Sequence, residues 1–327
     1  MGDLTWDRHG PMGVANAKRN RTVLDRGQSL AALRKERIGE GESAVVIAAG
    51  PSLKRQDPAQ TLLARGYKGA IVTTESALLY CLRAGLVPDL TVTLDPHATR
   101  IVRWFGDPHL SVDALKADDY FSRQDMDRAF ADEMAANREI LGLMDRYGSR
   151  IRIALSTSAS QAVVDRVLAV GMKVYWWNPM FDDPDQPNSI TAELQAMNRL
   201  PCVNAGGNVG SAAWMMATEV LGKTRVALTG VDFAYYDGTP YKNTQYYKEA
   251  VALVGEDNLD SVYIRLFNPD LGAWFYTDPA YMWYRQSFLD MAADSEARTF
   301  NCTGGGILFG PPITTLPLDQ FLDDVIP

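Results

Sequence analysis

Cysteine and histidine are scarce in this 327-residue chain, with three of each. Cys81, Cys202 and Cys302 are far apart and odd in number, which excludes a disulfide framework or a zinc pattern and fits a reducing cytoplasm. No apolar run approaches the length of a membrane span. The N-terminal MGDLTWDRHG has no apolar signal core. A positive balance is missing as well. Lys and Arg number 32 against 40 Asp and Glu, a formal net charge of −8. That argues against nucleic-acid binding through bulk charge and leaves room for a local basic pocket. With 46% hydrophobic and 22% charged residues, the composition is that of a globular protein holding one large α/β domain, or a core with terminal additions.

The most informative stretch is Ala44 to Ser52, AVVIAAGPS. A short run rich in β-branched residues stops at Gly50-Pro51-Ser52, and a helix-compatible segment follows. Open α/β sheets bind ligands at such turns, beyond the carboxyl ends of their strands. Gly50 lets the backbone approach a bulky anion, Pro51 suits the first turn of a helix, and Ser52 offers a hydroxyl and an N–H near the helix's positive end. An ordinary strand-to-helix turn has the same residues. The glycine pattern matches neither the dinucleotide fingerprint nor the phosphate loop ending in Gly-Lys-Ser/Thr.

Taken in order, residues 1–42 read as a helical N-terminal arm packed outside the core, with Leu24, Leu30 and Leu33 as its apolar points. Strands are expected at Ala44–Ala48, Ala70–Thr74 and Leu90–Leu94, separated by helices. The helix Glu75–Ala84 is closed by Gly85. This βαβαβ order predicts a parallel sheet. Asp95 follows the third strand, on the same edge as Gly50. It is placed to hold a magnesium ion or a sugar hydroxyl, or to serve as a turn aspartate. A charged helical insertion spans about 100–148 and includes the Asp118-Asp119 pair, which reads as a helix start. The sheet resumes at Arg150–Leu155 and Lys173–Trp177, and the Pro- and Asp-rich Met180–Ser189 reads as a solvated loop.

A second glycine turn, Ala205 to Ser211, opens an apolar helix, Ala212–Leu221, capped by Gly222. Lys223–Leu228 is then a strand that ends in Thr229-Gly230-Val231-Asp232-Phe233. Two such turns in one parallel sheet point to a bridged anionic ligand, with Asn208, Gly210 and Ser211 joining the first turn. Tyr235, Tyr236, Tyr241, Tyr246 and Tyr247 follow, with Lys242 and Lys248, a set suited to a phosphate or to a surface loop. After a helix reaching about Arg298, the triple glycine Gly304-Gly305-Gly306 suggests close backbone approach. Residues 317–324 form an amphipathic tail helix.

The segments IAAGPSL, PDLTVTLDPH, NVGSAAWMMATEVLGKTRVALTGVDF and NCTGGG, in that order, resemble the MptE-like family over about Ser43 to Gly310. That family includes archaeal 6-hydroxymethyl-dihydropterin diphosphokinases and the motility accessory factor (Maf) flagellin glycosyltransferases. The middle segments are also similar to bacterial sialyltransferases that use a CMP-linked nonulosonic acid. There a Gly-Pro-Ser-Leu turn helps bind the nucleotide, and two tyrosines after a Gly-(Ile/Val)-Asp-Phe strand end hold the departing phosphate. The matching residues here are Gly50–Leu53, Gly230–Phe233, and Tyr236 (or Tyr235) with Tyr241. The sialyltransferase base is a histidine downstream of the tyrosines. His9, His97 and His109 all lie upstream, so the role is vacant, or taken by His97.

The resemblance implies a cytoplasmic, nucleotide-dependent transferase. Its fold is an α/β, Rossmann-like open and mainly parallel sheet with helices on both faces. The core spans 43–235, and an aromatic and glycine-rich C-terminal part, 236–327, completes the site. In the first reading the enzyme is a glycosyltransferase with a nucleotide-sugar donor, CMP-linked by preference, and a flagellin-like protein or a glycan as acceptor. Gly50, Pro51, Ser52, Asn208, Gly210, Ser211 and Gly305 cradle the phosphate, Tyr236, Tyr241 and Lys242 stabilise it as it leaves, and Asp95 or Asp232 positions sugar or acceptor. In the second it transfers pyrophosphate from magnesium-ATP to a pterin alcohol, with Asp95 and Glu75 near the metal. In the third it binds a nucleotide without turnover.

Overall fold

The computed structural model describes residues 2–117 and 133–326, so Asp118-Asp119 lies outside the described residues. Thirteen strands occur among them. In chain order they are β1 (Gln28–Ser29), β2 (Ser43–Ile47), β3 (Ala70–Thr74), β4 (Leu90–Thr93), β5 (Arg152–Ser156), β6 (Lys173–Pro179) and β7 (Cys202–Val203). The later ones are β8 (Arg225–Thr229), β9 (Tyr235–Tyr236), β10 (Ile264–Asn268), β11 (Ala273–Thr277), β12 (Arg298–Asn301) and β13 (Thr314–Thr315). The main sheet is parallel throughout, in the order β1-β6-β5-β4-β3-β2-β8-β12-β13, with β7 paired to the end of β6. β10, β11 and β9 form a small antiparallel sheet.

The central strands are buried on both sides, which is why they read as unbroken apolar runs rather than alternating ones. In β2, Ala44 and Val46 pack on one face with Trp214 and Phe288, while Val45 and Ile47 pack on the other with Leu62 and Phe321. Helices therefore cover both faces. Each large apolar side chain fully buried this way contributes roughly 1.5–3 kcal/mol. This is an open Rossmann-like α/β fold.

From β2 the chain steps outward through β3, β4, β5 and β6. It then returns to the far side of β2 as β8, and β12 lies beyond that. The direction of travel thus reverses between β2 and β8. In open α/β sheets a ligand crevice forms at such a reversal, because the loops leaving the two strands diverge to opposite faces.

Three features differ from the sequence expectation. The arm is helical over Gly2–Asn20, yet Leu30 and Leu33 are buried in the core and β1 pairs with β6, so the arm supplies an edge strand. Two residues are too few to show a strand period. The segment after 236 adds β12 and β13 to the main sheet, so one sheet runs across the expected 235/236 boundary. The helix after the second glycine turn is α-helical over Val209–Met215 and π-helical over Met216–Val220.

Candidate functional site

The turns after β2 and β8 are bonded to each other. The Gly50 N–H donates to the Gly230 carbonyl at 2.8 Å. Ser52 donates its N–H to Asp232 Oδ1 at 3.2 Å and its hydroxyl to Oδ2 at 2.8 Å. Gly50 is required here by space: a Cβ would sit 2.0 Å from Asp232 Oδ2 and 2.5 Å from the Gly230 oxygen. Gly305 closes the same cluster, since its Cβ would lie 2.4 Å from the Tyr236 hydroxyl and 3.0 Å from Asp232 Oδ1. The Arg55 guanidinium stacks 3.8 Å above the Tyr236 ring. Five of the expected site residues, Gly50, Ser52, Asp232, Tyr236 and Gly305, thus meet at one point. Burial pushes the Asp232 carboxyl up to about 7, against the opposing pull of the two Ser52 hydrogen bonds and the Arg55 charge.

The second glycine turn faces the first. Asn208 caps the Val209–Met215 helix, its Oδ1 accepting the Ser211 N–H at 2.9 Å while its Nδ2 donates to the Ser211 hydroxyl at 2.8 Å. A Cβ on Gly210 would lie 3.8 Å from that of Ala48, which places this turn against the end of β2. Gly207, at φ +81°, sits under an aromatic wall: its Cβ would fall 2.3 Å from the Trp283 ring.

Between these elements lies a cavity of about 500 Å³, within the range of small-molecule sites. Gly50, Pro51, Asp95, Asn208, Gly210 and Asp232 line it among the expected residues. Ser52 and Ser211 are fully buried behind that surface, Ser52 holding Asp232 and Ser211 held by Asn208. One wall is aromatic and comprises Tyr246, Tyr281, Trp283 and Tyr284, with the Tyr246 and Tyr284 hydroxyls 2.8 Å apart. Glu75, Asp95, His97 and Ser158, from the segments after β3, β4 and β5, also line the cavity. Burial, with the charge of Asp95, drives the Glu75 carboxyl well above the usual carboxylate range.

Tyr241 and Lys242 stand apart from this cavity. The Tyr241 hydroxyl donates to Asp260 at 2.7 Å and its ring stacks on Tyr263 at 4.2 Å, while Lys242 is exposed on a 3-10 turn. His97 lines the cavity, and its Nδ1 accepts the Arg100 N–H at 3.3 Å. In the acidic loop, burial raises the Asp182 carboxyl, but hydrogen bonds from Ser189, Thr191 and Ile190 bring it down to about 2, so it caps the Ile190–Asn198 helix. Among the described residues, no group of three or more His, Cys, Asp and Glu side chains converges to hold a metal ion.

The grouping of the aromatic wall and the N-terminal contribution to the site had no sequence signal. The aromatic wall combines Tyr246 with residues of the Pro279–Ala293 helix. The N-terminal helix also reaches the site. Gly10 lines the cavity, and buried Asn16 donates to the carbonyls of Pro96 at 3.1 Å and Ser158 at 2.8 Å, which ties the helix to the loops after β4 and β5. Asn20 does the same for Thr157 and Ala159.

No protein-family profile matches the chain, and no curated protein matches it in sequence. Among solved structures, it is similar in fold to the MAf glycosyltransferase from Magnetospirillum magneticum AMB-1, with a TM-score of 0.52 and 15% sequence identity. The likeness covers 88% of this chain and 37% of that one, so the chain corresponds to little more than a third of its neighbour's length. At this identity the likeness establishes a shared fold. No helix among the described residues is long and apolar enough to cross a membrane.

Proposed function

We propose that the chain is a glycosyltransferase that draws on a nucleotide-activated sugar, CMP-linked by preference. The observation carrying this reading is the cavity at the reversal of the sheet, where two glycine turns face each other and an aromatic wall stands alongside. Glycine turns suit phosphate oxygens because backbone N–H groups reach them without side-chain obstruction. Aromatic rings suit the flat faces of a base or sugar. The fold likeness to a glycosyltransferase agrees with this assignment.

In this reading the Gly210 end of the second turn meets the phosphate beside Asn208, Gly50 leaves room for it, and Ser52 and Gly305 keep Asp232 and Tyr236 in place. In the transfer, the bond between the sugar carbon and the phosphate oxygen breaks, and the oxygen leaves with the electron pair. The acceptor oxygen bonds to that carbon and gives up its proton. Hydrogen-bond donors aimed at the leaving phosphate lower the barrier by meeting charge as it develops. Of the five tyrosines between 235 and 247, Tyr246 is the one that lines the cavity, and in this reading it takes that role. In this reading Asp95, which lines the cavity, receives the acceptor proton. The acceptor is a protein, glycan or other hydroxyl compound. Pyrophosphate transfer from magnesium-ATP draws no observation of its own.

A thermal-shift panel of CMP, CDP, UDP, GDP and ATP, with and without magnesium, tests this. Stabilisation by CMP without metal is the expected result, since a ligand that binds only the native state raises the midpoint. Silence across the panel contradicts every nucleotide reading, and stabilisation by ATP only with magnesium turns the assignment to phosphoryl chemistry. CMP binding without release of CMP from a CMP-linked sugar leaves a non-catalytic binder.

A further inference from the structure

Glu75 is 2% exposed, yet its Oε2 has no hydrogen-bond partner. Buried carboxyl oxygens are almost always satisfied, because an orphan costs the full desolvation of the group. The other buried carboxyl in the cavity wall, Asp232, has both oxygens engaged by Ser52. Ser158, 1% exposed in the same wall as Glu75, also has a hydroxyl without a partner. Glu75 Oε2 and the Ser158 hydroxyl are therefore left open for a ligand, while Asp232 and Ser52 are closed on each other.

Position says which part of a ligand Glu75 meets. It begins the helix at the carboxyl end of β3, the strand beside β2, and it lines the cavity next to the Gly50 turn. Adjacent strands lie about 4.8 Å apart. A phosphate at the glycine turn of one strand and an acidic side chain at the end of the next reproduce the spacing by which doubly wound sheets hold a nucleotide's phosphate and its ribose. We propose that Glu75 binds the ribose hydroxyls of the nucleotide, accepting from the 2′-hydroxyl through Oε2, and so selects ribonucleotides over deoxyribonucleotides. This rests on the nucleotide reading given above and adds the subsite. Burial, and after it the charge of Asp95, favours the neutral form of Glu75. A carboxyl group offers acceptor oxygens to a hydroxyl and, when protonated, a donor as well.

The test compares CMP, UMP, GMP and AMP with their 2′-deoxy counterparts by calorimetric titration of the wild type, Glu75→Met and Glu75→Gln. For the nucleotide that binds, the wild type is expected to favour the ribose form by about tenfold or more, the worth of one hydrogen bond to such a group. Glu75→Met should bind both forms equally, at the deoxy level, and its ligand-free melting temperature should be at or above that of the wild type, because an orphan oxygen has been removed. Glu75→Gln, which keeps an acceptor oxygen and the side-chain size, should retain part of the preference. Equal binding of ribose and deoxyribose forms by the wild type overturns the subsite while leaving the nucleotide reading intact. So does a preference that survives in Glu75→Met, or a lower ligand-free melting temperature in both variants, which would mean that the carboxyl is satisfied within the fold. Binding of none of the eight compounds removes the nucleotide reading itself, and the subsite with it.

Discussion

Two buried carboxyls stand at the ends of neighbouring parts of one sheet and are treated in opposite ways. Asp232, after β8, is held through both oxygens by Ser52 and crowded by three glycine positions, Gly50, Gly305 and Gly306. Glu75, after β3, keeps an oxygen with no partner. The difference teaches how labour is divided at the cavity. The β2/β8 junction is built as a rigid seat whose polar groups satisfy one another, whereas the β3 side holds polar groups in reserve. Changes to the first should appear mainly as lost stability. Changes to the second should appear mainly as altered binding.

The largest effect is expected at the seat itself. Gly50→Ala brings a methyl 2.0 Å from Asp232 Oδ2 and against the Gly230 carbonyl. Chemical denaturation should show a loss of roughly 3 kcal/mol or more, since backbone cannot move aside as a flexible side chain would. Full stability in this variant would mean the turn is not closed as described. Ser52→Ala comes next. It leaves Asp232 Oδ2 buried without its hydroxyl donor, for an expected cost of about 2 kcal/mol, and it should move the Asp232 titration further upward. Wild-type stability in Ser52→Ala would equate the two carboxyls and break the comparison.

The pH dependence sharpens it. The folded-state pKa of Asp232, about 7, lies above its unfolded value, so between about pH 4 and 7 the native state binds more protons than the unfolded one. The contribution of this group is most favourable below that window and is lost as pH rises through 7. In Asp232→Asn, denaturation across the window should show a shallower decline with pH than the wild type, and an unchanged slope would contradict the assignment. The smallest effect is expected at Tyr241. Its hydroxyl pairs with Asp260 outside the cavity, so Tyr241→Phe should cost less than about 1 kcal/mol and leave nucleotide affinity unaltered. A large loss of affinity would bring the cavity boundary into question.

The strands and both glycine turns were legible because their signals are local. β2 and β8 are five-residue runs with few exposed positions, each stopped by glycine. What joins the turns was not legible, since Ser52 and Asp232 are 180 residues apart and a pair at such separation leaves no pattern in either segment. β12 was missed for the same reason that β1 was. β12, with the sequence RTFN, is four residues long with three of them polar, and its place was read as the end of a helix followed by glycine-rich chain. The tyrosine cluster was found by count, but irregular backbone gives no period from which to infer direction. Tyr235 turned out to bond Asp278, Tyr241 to bond Asp260, and Tyr246 to face the cavity with Tyr284. Glu75 was visible as a carboxylate at a helix start. Its lack of a partner is a property of the assembled fold.

Hydrogen–deuterium exchange of the whole chain with and without CMP tests the central claim, that the reversal of the sheet is a nucleotide seat, most directly. Slowed exchange is expected in the two segments that line the cavity, 48–51 and 204–210, with a smaller effect around Glu75. Slowed exchange confined to the Tyr241 region, or no change in either glycine turn while CMP is bound, would contradict it.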